Sequence, residues 1–385
     1  MELSGYMRSN GQVGVRNHLA VISSTVCANR VVQGIAAQIP GVVPILHQHG
    51  CAQLGVDREQ TARILAGMGS NPNAGAVLVV GLGCESLGAD LIASEIDKTI
   101  KPVEYLVIQK EGGVNKSIQK GSRLAAKLLA DLSQVSRQTI YFEDLIIGTE
   151  CGGSDAASGL TANPATGLVA DKVVEKGGTV ILSETTELIG AEHLLAKRAL
   201  NLKIKKRILE IVRRMEEKAV AMGVDIRSGN PTPGNMEGGI TTLEEKSLGC
   251  IRKGGHSPVM EVLDYGEPPK KKGLVIMDTP GHDIESMVGM AAGGCQVIIF
   301  TTGRGTPAGC PLVPVIKVSS TSGCFNNMED SIDINAGLVL EGKETLAGVA
   351  ERLYAELEQV VCGKLTKSEL MGHFEFAINR IGPTM

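Results

Sequence analysis

The stretch AGAVLVVGLGCES, residues 74–86, combines an uncharged apolar run with a glycine-flanked cysteine. Such a run is typical of a strand that is buried on both faces, as in a parallel sheet covered by helices. The glycines that follow it permit a tight turn. Because ligands bind beyond the carboxyl ends of the strands in open parallel sheets, Cys84 and Glu85 are predicted to lie at a binding edge.

Short apolar runs of this kind alternate with amphipathic segments along the chain. The runs VRNHLAVISSTV (15–26) and FEDLIIGTE (142–150) predict two further strands. Between strands, helical periodicity places Val31, Ile35 and Ile39 on one face. The alternation predicts an α/β fold with two parallel-sheet domains made of Rossmann-like βα repeats, and a site at the carboxyl ends of the strands between the two domains.

The pattern of strands and helices restarts near residue 140. We therefore predict an N-terminal α/β domain over residues 1–140 and a C-terminal α/β domain over residues 141–385. The second domain is predicted to contain a helix at 155–175 and a long charged helix over 187–222. The interleaved lysines, arginines and glutamates of the long helix are typical of a solvated helix face.

Composition excludes several classes of protein. A net charge of -4 and an aromatic content of 3% argue against a nucleic-acid-binding protein. The polar N-terminal sequence has no apolar segment typical of a signal peptide, and no apolar run reaches the roughly 18 residues of a membrane span. We expect a cytoplasmic protein without a membrane partner. Its nine cysteines are then expected to be free thiols or metal ligands and not disulfides.

Three separate segments each place one cysteine in a glycine-rich turn after a predicted strand. They are HQHGCAQ (47–53) with Cys51, GLGCES with Cys84, and GTECGGSD with Cys151. Thiolates from three turns suit iron, so these three cysteines are predicted to hold Fe²⁺ or an iron–sulfur cluster. The alternative is three small buried cysteines that pack beneath turns. Cys27, in STVCANR, is a weaker candidate for a ligand.

Polar and titratable side chains in glycine-rich loops are candidates for substrate binding and proton transfer. Arginine binds a carboxylate through two parallel hydrogen bonds, and histidine titrates near neutral pH. The candidates for substrate binding are Arg16, Asn17, His18, Ser154, Asp155 and Arg304. The candidates for catalysis are His49, His256, Glu85 and Lys253.

Taken in order, the motifs resemble the altronate/galactarate dehydratase family of sugar-acid hydro-lyases. The motifs are GYMRSNGQVGVRNH, HQHGCAQ, CGGSDAASGLTANPATG, SETTELIGAEHLLAKRA, KSLGCIRKGGH and FTTGRGTPAGCP, and they span nearly the whole chain. The resemblance implies an iron-dependent β-elimination of water from a sugar acid, which gives a 2-keto-3-deoxy acid. It also implies that the substrate is a small polyhydroxy acid.

The resemblance leaves alternatives and implies a partner. The large subunit of sulfolactate sulfo-lyase is similar to the same part of the family, so sulfite elimination is the alternative reaction. A non-catalytic sugar-acid-binding subunit is an alternative of another class, and a nicotinamide-dependent oxidoreductase lacks a good fingerprint here. Many family members carry a small domain before the GYMR motif, where this sequence begins. A separate small subunit and an oligomeric state are therefore expected.

Overall fold

The structure is a computed structural model, and it describes residues 2–382. Strands alternate with helices along nearly the whole chain, which confirms the predicted α/β fold. None of the helices in this described part is long and apolar enough to cross a membrane.

The elements of residues 2–145 are β1 (Leu3–Met7), β2 (Val13–Gly14), β3 (His18–Ser23), α1 (Asn29–Gln38), β4 (Val42–Ile45), α2 (Gly55–Ser70), β5 (Ala74–Gly81), α3 (Ala89–Asp97), β6 (Val103–Val107), α4 (Ile108–Glu111), α5 (Val114–Leu132) and β7 (Gln138–Ile140). Those of residues 146–382 are β8 (Ile146–Gly152), α6 (Ala162–Glu175), β9 (Thr179–Leu182), α7 (Glu192–Lys197), α8 (Leu202–Ala221), α9 (Pro233–Glu237), α10 (Leu243–Cys250), β10 (Val259–Leu263), β11 (Gly273–Met277), α11 (Asp283–Ala292), β12 (Val297–Thr302), β13 (Val315–Ser319), α12 (Ser322–Asn327), β14 (Ile334–Asn335), α13 (Leu346–Val361) and α14 (Lys367–Met371).

A four-stranded parallel sheet with the order β4-β3-β5-β6 forms the first half. Alternate residues of its central strands face opposite cores, as strand geometry requires. Leu19, Val21 and Leu78 pack against α1 and α5, whereas Ile22 and Val79 belong to the core on the other face. All eight residues of β5 are buried, which explains the uninterrupted apolar run in the sequence.

A seven-stranded parallel sheet with the order β10-β11-β9-β8-β12-β13-β14 forms the second half. Strand β8 lies at its centre between β9 and β12, and its partners in register place Glu150 beside Phe300 and Cys151 beside Thr301. Because all seven strands are parallel, their carboxyl ends share one edge of the sheet.

The two sheets share one apolar core. Ile22 of the four-stranded sheet and Phe300 of the seven-stranded sheet belong to the same buried cluster, together with residues of α2 and α11. Asn71 and Asn73 reinforce this junction, because their buried side-chain amides donate hydrogen bonds to carbonyl groups at Cys295 and Gln296. The two halves therefore pack as one body.

A small antiparallel sheet, β2-β1-β7, was not predicted from the sequence. In it β1 pairs with β2 and with β7, which brings residues 138–140 back to the start of the chain. These strands have two to five residues, too few for a clear period-two pattern.

The predicted helices at 155–175 and 187–222 differ from the structure. The first begins only at Ala162, after a series of turns. The second is wrong as a single helix, because residues 198–201 interrupt it between α7 and α8. There, Ala199 pairs with Val259, and the side chain of Asn201 caps the new helix by accepting a hydrogen bond from the Ile204 N–H. Pairing with a distant strand thus overrides the continuous helical pattern.

The shared core predicts one cooperative unfolding transition. Replacing Ile22 by alanine should lower the free energy of unfolding by about 2–5 kcal/mol, because it opens a cavity in that core. Replacing the half-exposed Leu91 by alanine is the control and should cost much less. Urea unfolding followed by circular dichroism measures both. Two separate transitions, of which Ile22→Ala moves only one, would contradict the shared core.

Candidate active site

The two central strands of the seven-stranded sheet end in acidic side chains that point into the protein. Glu150 and Cys151 lie in the last residues of β8, and Glu184 follows β9. Glu184 adopts a left-handed conformation with φ 69°, which is costly for a residue with a side chain and is typical of functional sites. We name the cluster around them the polar centre. It consists of Glu150, Cys151, Glu184, Glu187, Lys246, Cys250, Lys253 and Asp283.

Lys253 is the completely buried cation of the polar centre. It lies in the turn after α10, and its Nζ is 2.6 Å from Glu184 Oε2 and 3.1 Å from Cys151 Sγ. Burial favours a neutral amine, but the negative charges at Cys151 and Glu184 outweigh it and hold the pKa of Lys253 well above its usual range. Lys253 is therefore a permanent ammonium ion inside the protein.

The two thiols of the polar centre form a chain of contacts to a second lysine. Cys151 Sγ lies 3.2 Å from Cys250 Sγ, and Cys250 Sγ lies 2.7 Å from Glu187 Oε2. The other oxygen of Glu187 accepts a salt bridge of 2.7 Å from Lys246. The contact with Cys151, together with burial, raises the pKa of Cys250 well above its usual range, so this thiol stays protonated.

Two carboxyl groups of the polar centre have raised pKa values. Burial and the charge of Glu184 raise the pKa of Glu150 well above its usual range, and Glu150 accepts hydrogen bonds from Ser183 and Ser286. Burial and the charges of Glu184 and Glu187 raise the pKa of Asp283 to about 7. Asp283 is partly exposed, whereas Glu150 is fully buried. A partly exposed carboxyl group with this pKa can exchange protons with a ligand near neutral pH.

Two groups of side chains in the described residues could hold a metal ion by their geometry. The ligand atoms of Cys151, Glu187 and Cys250 lie within 4.8 Å of one another, as do those of Glu150, Glu184 and Asp283. The two lysine ammonium groups already lie against these acids. Each lysine pairs with one of these acids, Lys253 with Glu184 and Lys246 with Glu187, so one possible ligand in each group is already bound to an ammonium group.

The predicted iron ligands are not all at this site. Cys151 is buried in the polar centre, whereas Cys51 and Cys84 are exposed beyond the ends of β4 and β5 in the other sheet. Among residues 2–382 these three thiols do not form a group whose sulfur atoms lie within 4.8 Å of one another. In this structure they are therefore not positioned to share one ion.

Three predicted substrate-binding residues lie at the edge that carries the polar centre. Asp155 accepts hydrogen bonds from Ser158 and Ser320, so its carboxylate orders the loop after β8. The buried hydroxyl of Ser154 has no partner and lines a small cavity beside Lys246. Arg304 follows β12, is half-exposed and pairs with the exposed Glu237.

The other three predicted substrate-binding residues have structural roles at the opposite edge. Arg16 is buried, and its guanidinium binds both oxygens of Glu369 at 2.7 and 2.8 Å. Asn17 accepts a hydrogen bond from Arg8. Burial lowers the pKa of His18 to about 4. Arg16 and Asn17 precede β3 and His18 is its first residue, so all three lie at its amino end, far from the carboxyl ends, and the structure does not bring them to the polar centre.

The remaining predicted catalytic residues lie outside the polar centre. His256 is exposed and bonds to Asp171 on α6. Asn163 of the same helix lines the small cavity beside Lys246, and Asp171 lies eight residues, or about 12 Å, farther along. His49 is buried, and its Nε2 lies 3.2 Å from the Ile378 carbonyl oxygen. Glu85 accepts hydrogen bonds from Ser24 and from the backbone of its own turn.

Two acids of the polar centre, Glu184 and Glu187, were missed by the sequence analysis. Glu184 and Glu187 belong to the SETTEL segment directly after β9, and Lys246 belongs to the KSLG segment. An acidic pair immediately after an apolar strand is a signal that could have identified Glu184. The positions of Lys246 and Cys250 depend on how α10 folds back over the sheet.

Comparison with known proteins identifies the family. Residues 142–384 match the profile "D-galactarate/Altronate dehydratase, C-terminal", and residues 5–133 match "D-galactarate dehydratase/Altronate hydrolase, second domain". The chain belongs to the galactarate/altronate dehydratase family. The predicted resemblance is confirmed, and the chain is an enzyme of the hydro-lyase class.

Similar characterised proteins align over nearly the whole chain. Altronate dehydratase of Bacillus subtilis (strain 168) is 37% identical over 392 residues, covering 99% of this chain and 78% of that protein. Galactarate dehydratase (L-threo-forming) of Escherichia coli (strain K12) is 38% identical, covering 94% and 72%. The (2R)-sulfolactate sulfo-lyase subunit beta of Chromohalobacter salexigens is 36% identical, covering 98% and 97%. A solved structure, E. coli ADP-heptose lps heptosyltransferase II, matches with 13% identity and a TM-score of only 0.21, covering 89% of this chain and 98% of that one, and carries no argument.

The structural role of Arg16 can be tested. Arg16→Ala should lower the free energy of unfolding by about 3–5 kcal/mol, because it leaves the carboxylate of Glu369 buried without its partner. The folded fraction should keep its full turnover. Urea unfolding and activity per folded molecule measure the two effects. A variant that is as stable as the parent but has a raised KM would restore Arg16 as a substrate ligand.

Proposed function

We propose that this enzyme removes water from an aldonate or aldarate, such as altronate or galactarate, and gives a 2-keto-3-deoxy acid. The observation that carries the proposal is the polar centre, where a buried ammonium holds acidic side chains ionised at the edge of the sheet. The names of the relatives, altronate and galactarate dehydratase, support this substrate class.

The difficult step of such an elimination is removal of the proton next to the substrate carboxylate. That proton is weakly acidic, so the enzyme needs a base with a pKa near the working pH. Asp283 fits this role, because its pKa is about 7 and it is the partly exposed carboxyl group of the polar centre. We assign Asp283 as the general base.

Lys253 is a positioning residue in this proposal. It is completely buried and bonded to Glu184, so it does not touch the substrate. Its ammonium group favours the ionised form of Glu184, and that charge raises the pKa of Asp283. Lys253 thus sets the proton affinity of the base through Glu184.

Arg304 is our proposed anchor for the substrate carboxylate. It follows β12, next to β8, and so lies at the edge of the polar centre. Its ion pair with Glu237 is exposed to solvent and therefore weak, so a substrate carboxylate can replace it. A planar guanidinium binds a carboxylate through two hydrogen bonds, which also fixes its orientation.

Iron is part of the proposal, since hydroxide is a poor leaving group. A bound iron would supply a Lewis acid for the departing hydroxyl group. Exposed thiols such as Cys51 and Cys84 are donors that suit iron, and both lie at the carboxyl edge of the four-stranded sheet. The polar centre, in which lysines already pair with Glu184 and Glu187, suits it less.

A sulfo-lyase is the second candidate. The sulfo-lyase subunit beta aligns over 97% of its own length, more than the dehydratases do. Sulfite elimination from a 2-hydroxy acid needs the same proton removal, so the polar centre serves either reaction. Sulfite release from sulfolactate, with no keto acid formed from hexonates or hexarates, would establish this alternative. Binding of these acids without turnover in the presence of iron would favour a non-catalytic subunit.

We also propose a second, smaller subunit, because the name of the sulfo-lyase relative denotes one subunit of several. Co-expression with a separately encoded small subunit, followed by size-exclusion chromatography, tests the assembly. A cytoplasmic location is proposed from the cysteines, all nine of which are free thiols in the structure.

The assignment of Asp283 predicts a pH dependence. A base acts as the carboxylate, so kcat/KM should rise with pH through about 7. Asp283→Asn should lower kcat/KM by about 10²–10⁴-fold and remove this acidic limb. Asp264→Asn, which removes an exposed carboxylate paired with Arg207, is the control and should keep the profile. An unchanged acidic limb in the Asp283 variant would exclude it as the base.

If Lys253 is a positioning residue, its replacement should shift the pH dependence of kcat/KM and not only lower the activity. In Lys253→Met, Glu184 loses the ammonium group that holds its charge beside Asp283, so the pKa of Asp283 should fall. The acidic limb of kcat/KM should move to lower pH, with a reduced maximum. Lys101→Met is the matched control, because Lys101 is also buried but donates to carbonyl groups at the end of α2, in the following loop and at the start of β5, away from the polar centre. It should cost stability and leave the pH profile in place.

A further inference from the structure

Two thiols of the polar centre lie close enough to react with each other. Cys151 lies near the end of β8 and Cys250 ends α10, and their Sγ atoms are 3.2 Å apart. A bond between two sulfur atoms is about 2.05 Å long, so these sulfurs need to approach by only about 1.2 Å. Cys151 and Cys250 are 2% and 1% exposed, which keeps the thiols of other proteins away from them. A disulfide formed here therefore links these two residues.

The surroundings of the two thiols give them different chemical roles. Lys253 Nζ lies 3.1 Å from Cys151 Sγ, and a neighbouring ammonium group favours the thiolate, which is the nucleophilic form of cysteine. Cys250 Sγ instead lies 2.7 Å from a carboxylate oxygen of Glu187. The contact with Cys151, together with burial, raises the pKa of Cys250, so this thiol keeps its proton. The pair therefore combines a nucleophilic thiolate with a thiol that can donate a proton.

A small cavity connects Cys250 with the surface of the protein. The exposed residues Ala156 and Glu245 line this cavity together with the buried residues Lys246 and Cys250. Its volume is ≈ 30 Å³. A single water molecule needs about 10–15 Å³ of such space, so the cavity has room for about two waters. Hydrogen peroxide, which has two oxygen atoms, is of this size, whereas a thiol such as glutathione is much too large.

We propose that Cys151 and Cys250 are an oxidation site of this protein, and that they form a reversible disulfide when a small hydroperoxide such as hydrogen peroxide enters the cavity. The proposal goes beyond the proposed function, because disulfide formation does not itself depend on the dehydratase activity. It assigns a chemical role to two thiols that the proposed elimination of water does not use.

The two thiols and the peroxide can complete the reaction in two steps. The Cys151 thiolate attacks one oxygen of the peroxide, the bond between the oxygens breaks, and Cys250 gives its proton to the departing hydroxide, which leaves as water. Cys151 is then a sulfenic acid. The Cys250 thiolate attacks its sulfur and displaces a second hydroxide, which takes a proton from solvent. The two sulfurs lose two electrons, the peroxide gains them, and two water molecules form.

The disulfide changes the charge of the polar centre. Cys151 loses its negative charge, so Lys253 retains its salt bridge with Glu184 but not its contact with a thiolate. Because Lys253 is the residue that sets the proton affinity of the proposed base through Glu184, oxidation should lower turnover and reduction should restore it. This expected loss of turnover rests on the proposed function, whereas the disulfide does not.

Peptide mapping of the full chain after treatment with hydrogen peroxide tests the proposal. Trypsin releases residues 138–172 and 247–252 as two peptides, each with a single cysteine, Cys151 and Cys250 respectively. After the remaining thiols are blocked with iodoacetamide in denaturant, mass spectrometry should find the two peptides linked in most chains. Dithiothreitol should separate them. Peroxide that leaves both thiols free, or that converts either one to sulfinic acid without a link, would overturn the proposal.

Controls within the chain separate this site from general oxidation. Cys295 and Cys310 are also buried but lie in the apolar core, so both should stay reduced. Lys253→Met should slow the linkage by about tenfold or more, because a thiol with an ordinary pKa is only a few per cent thiolate at pH 7. Lys101→Met should keep the rate of the parent. Equal oxidation of Cys295 and Cys310 would contradict a specific site.

Activity distinguishes this proposal from the proposed function. Loss of sugar-acid turnover in proportion to the linked fraction, with recovery in dithiothreitol alone and without added iron, would support both. A reversible link in a protein that turns over no sugar acid, or whose turnover the link does not change, would keep the oxidation site and reject the polar centre as the place of the proposed reaction. Turnover without any link after peroxide would do the reverse.

Discussion

The buried ammonium of Lys253 is the interaction on which the site depends. A charge inside a protein is stable only when counter-charges and hydrogen bonds replace its water. Lys253 therefore fixes Glu184 against β9 and Cys151 against β8, and it determines which of the neighbouring acids stay ionised. Removing Lys253 or Glu184 would leave an uncompensated charge in the core. The positions of the strand ends and of the turn after α10 therefore depend on the same ion pair that determines the charge of the polar centre.

Glycine allows the segment with Lys253 to approach the sheet so closely. A Cβ on Gly167 of α6 would lie 2.1 Å from the carbonyl oxygen of Arg252, and a Cβ on Gly159 would lie 2.9 Å from the Cα of Gly249. A larger side chain at these positions would push the turn outward. The abundance of glycine in the sequence is thus partly explained by two segments that pack backbone against backbone above the strand ends.

The fold could be predicted from the sequence wherever a single hydrophobic pattern dominates. The site could not be predicted where packing between distant segments determines which side chains meet. The uncharged run of β5 identified a buried parallel strand, because both of its faces contact helices. The helical pattern over 187–222 failed because a strand 60 residues later pairs with its middle, as Ala199 and Val259 do. Arg16 lies away from the polar centre for a simpler reason. A residue before a strand lies at the amino edge, and the binding edge is the other one.

The cysteines follow the same logic. The sequence places Cys27, Cys51, Cys84 and Cys151 after strands, and nothing in their local motifs reveals which strands belong to one sheet. The sheet to which each strand belongs determines which thiols are neighbours. Cys27, Cys51 and Cys84 follow strands of the four-stranded sheet, and Cys151 lies at the centre of the seven-stranded sheet. In the proposed reaction a proton leaves one carbon and a hydroxyl group leaves the next, so a base and a Lewis acid must flank a single bond. Asp283 opens α11 and lies in the polar centre, so the packing of this helix against the ends of β8 and β9 determines where the proposed base can act.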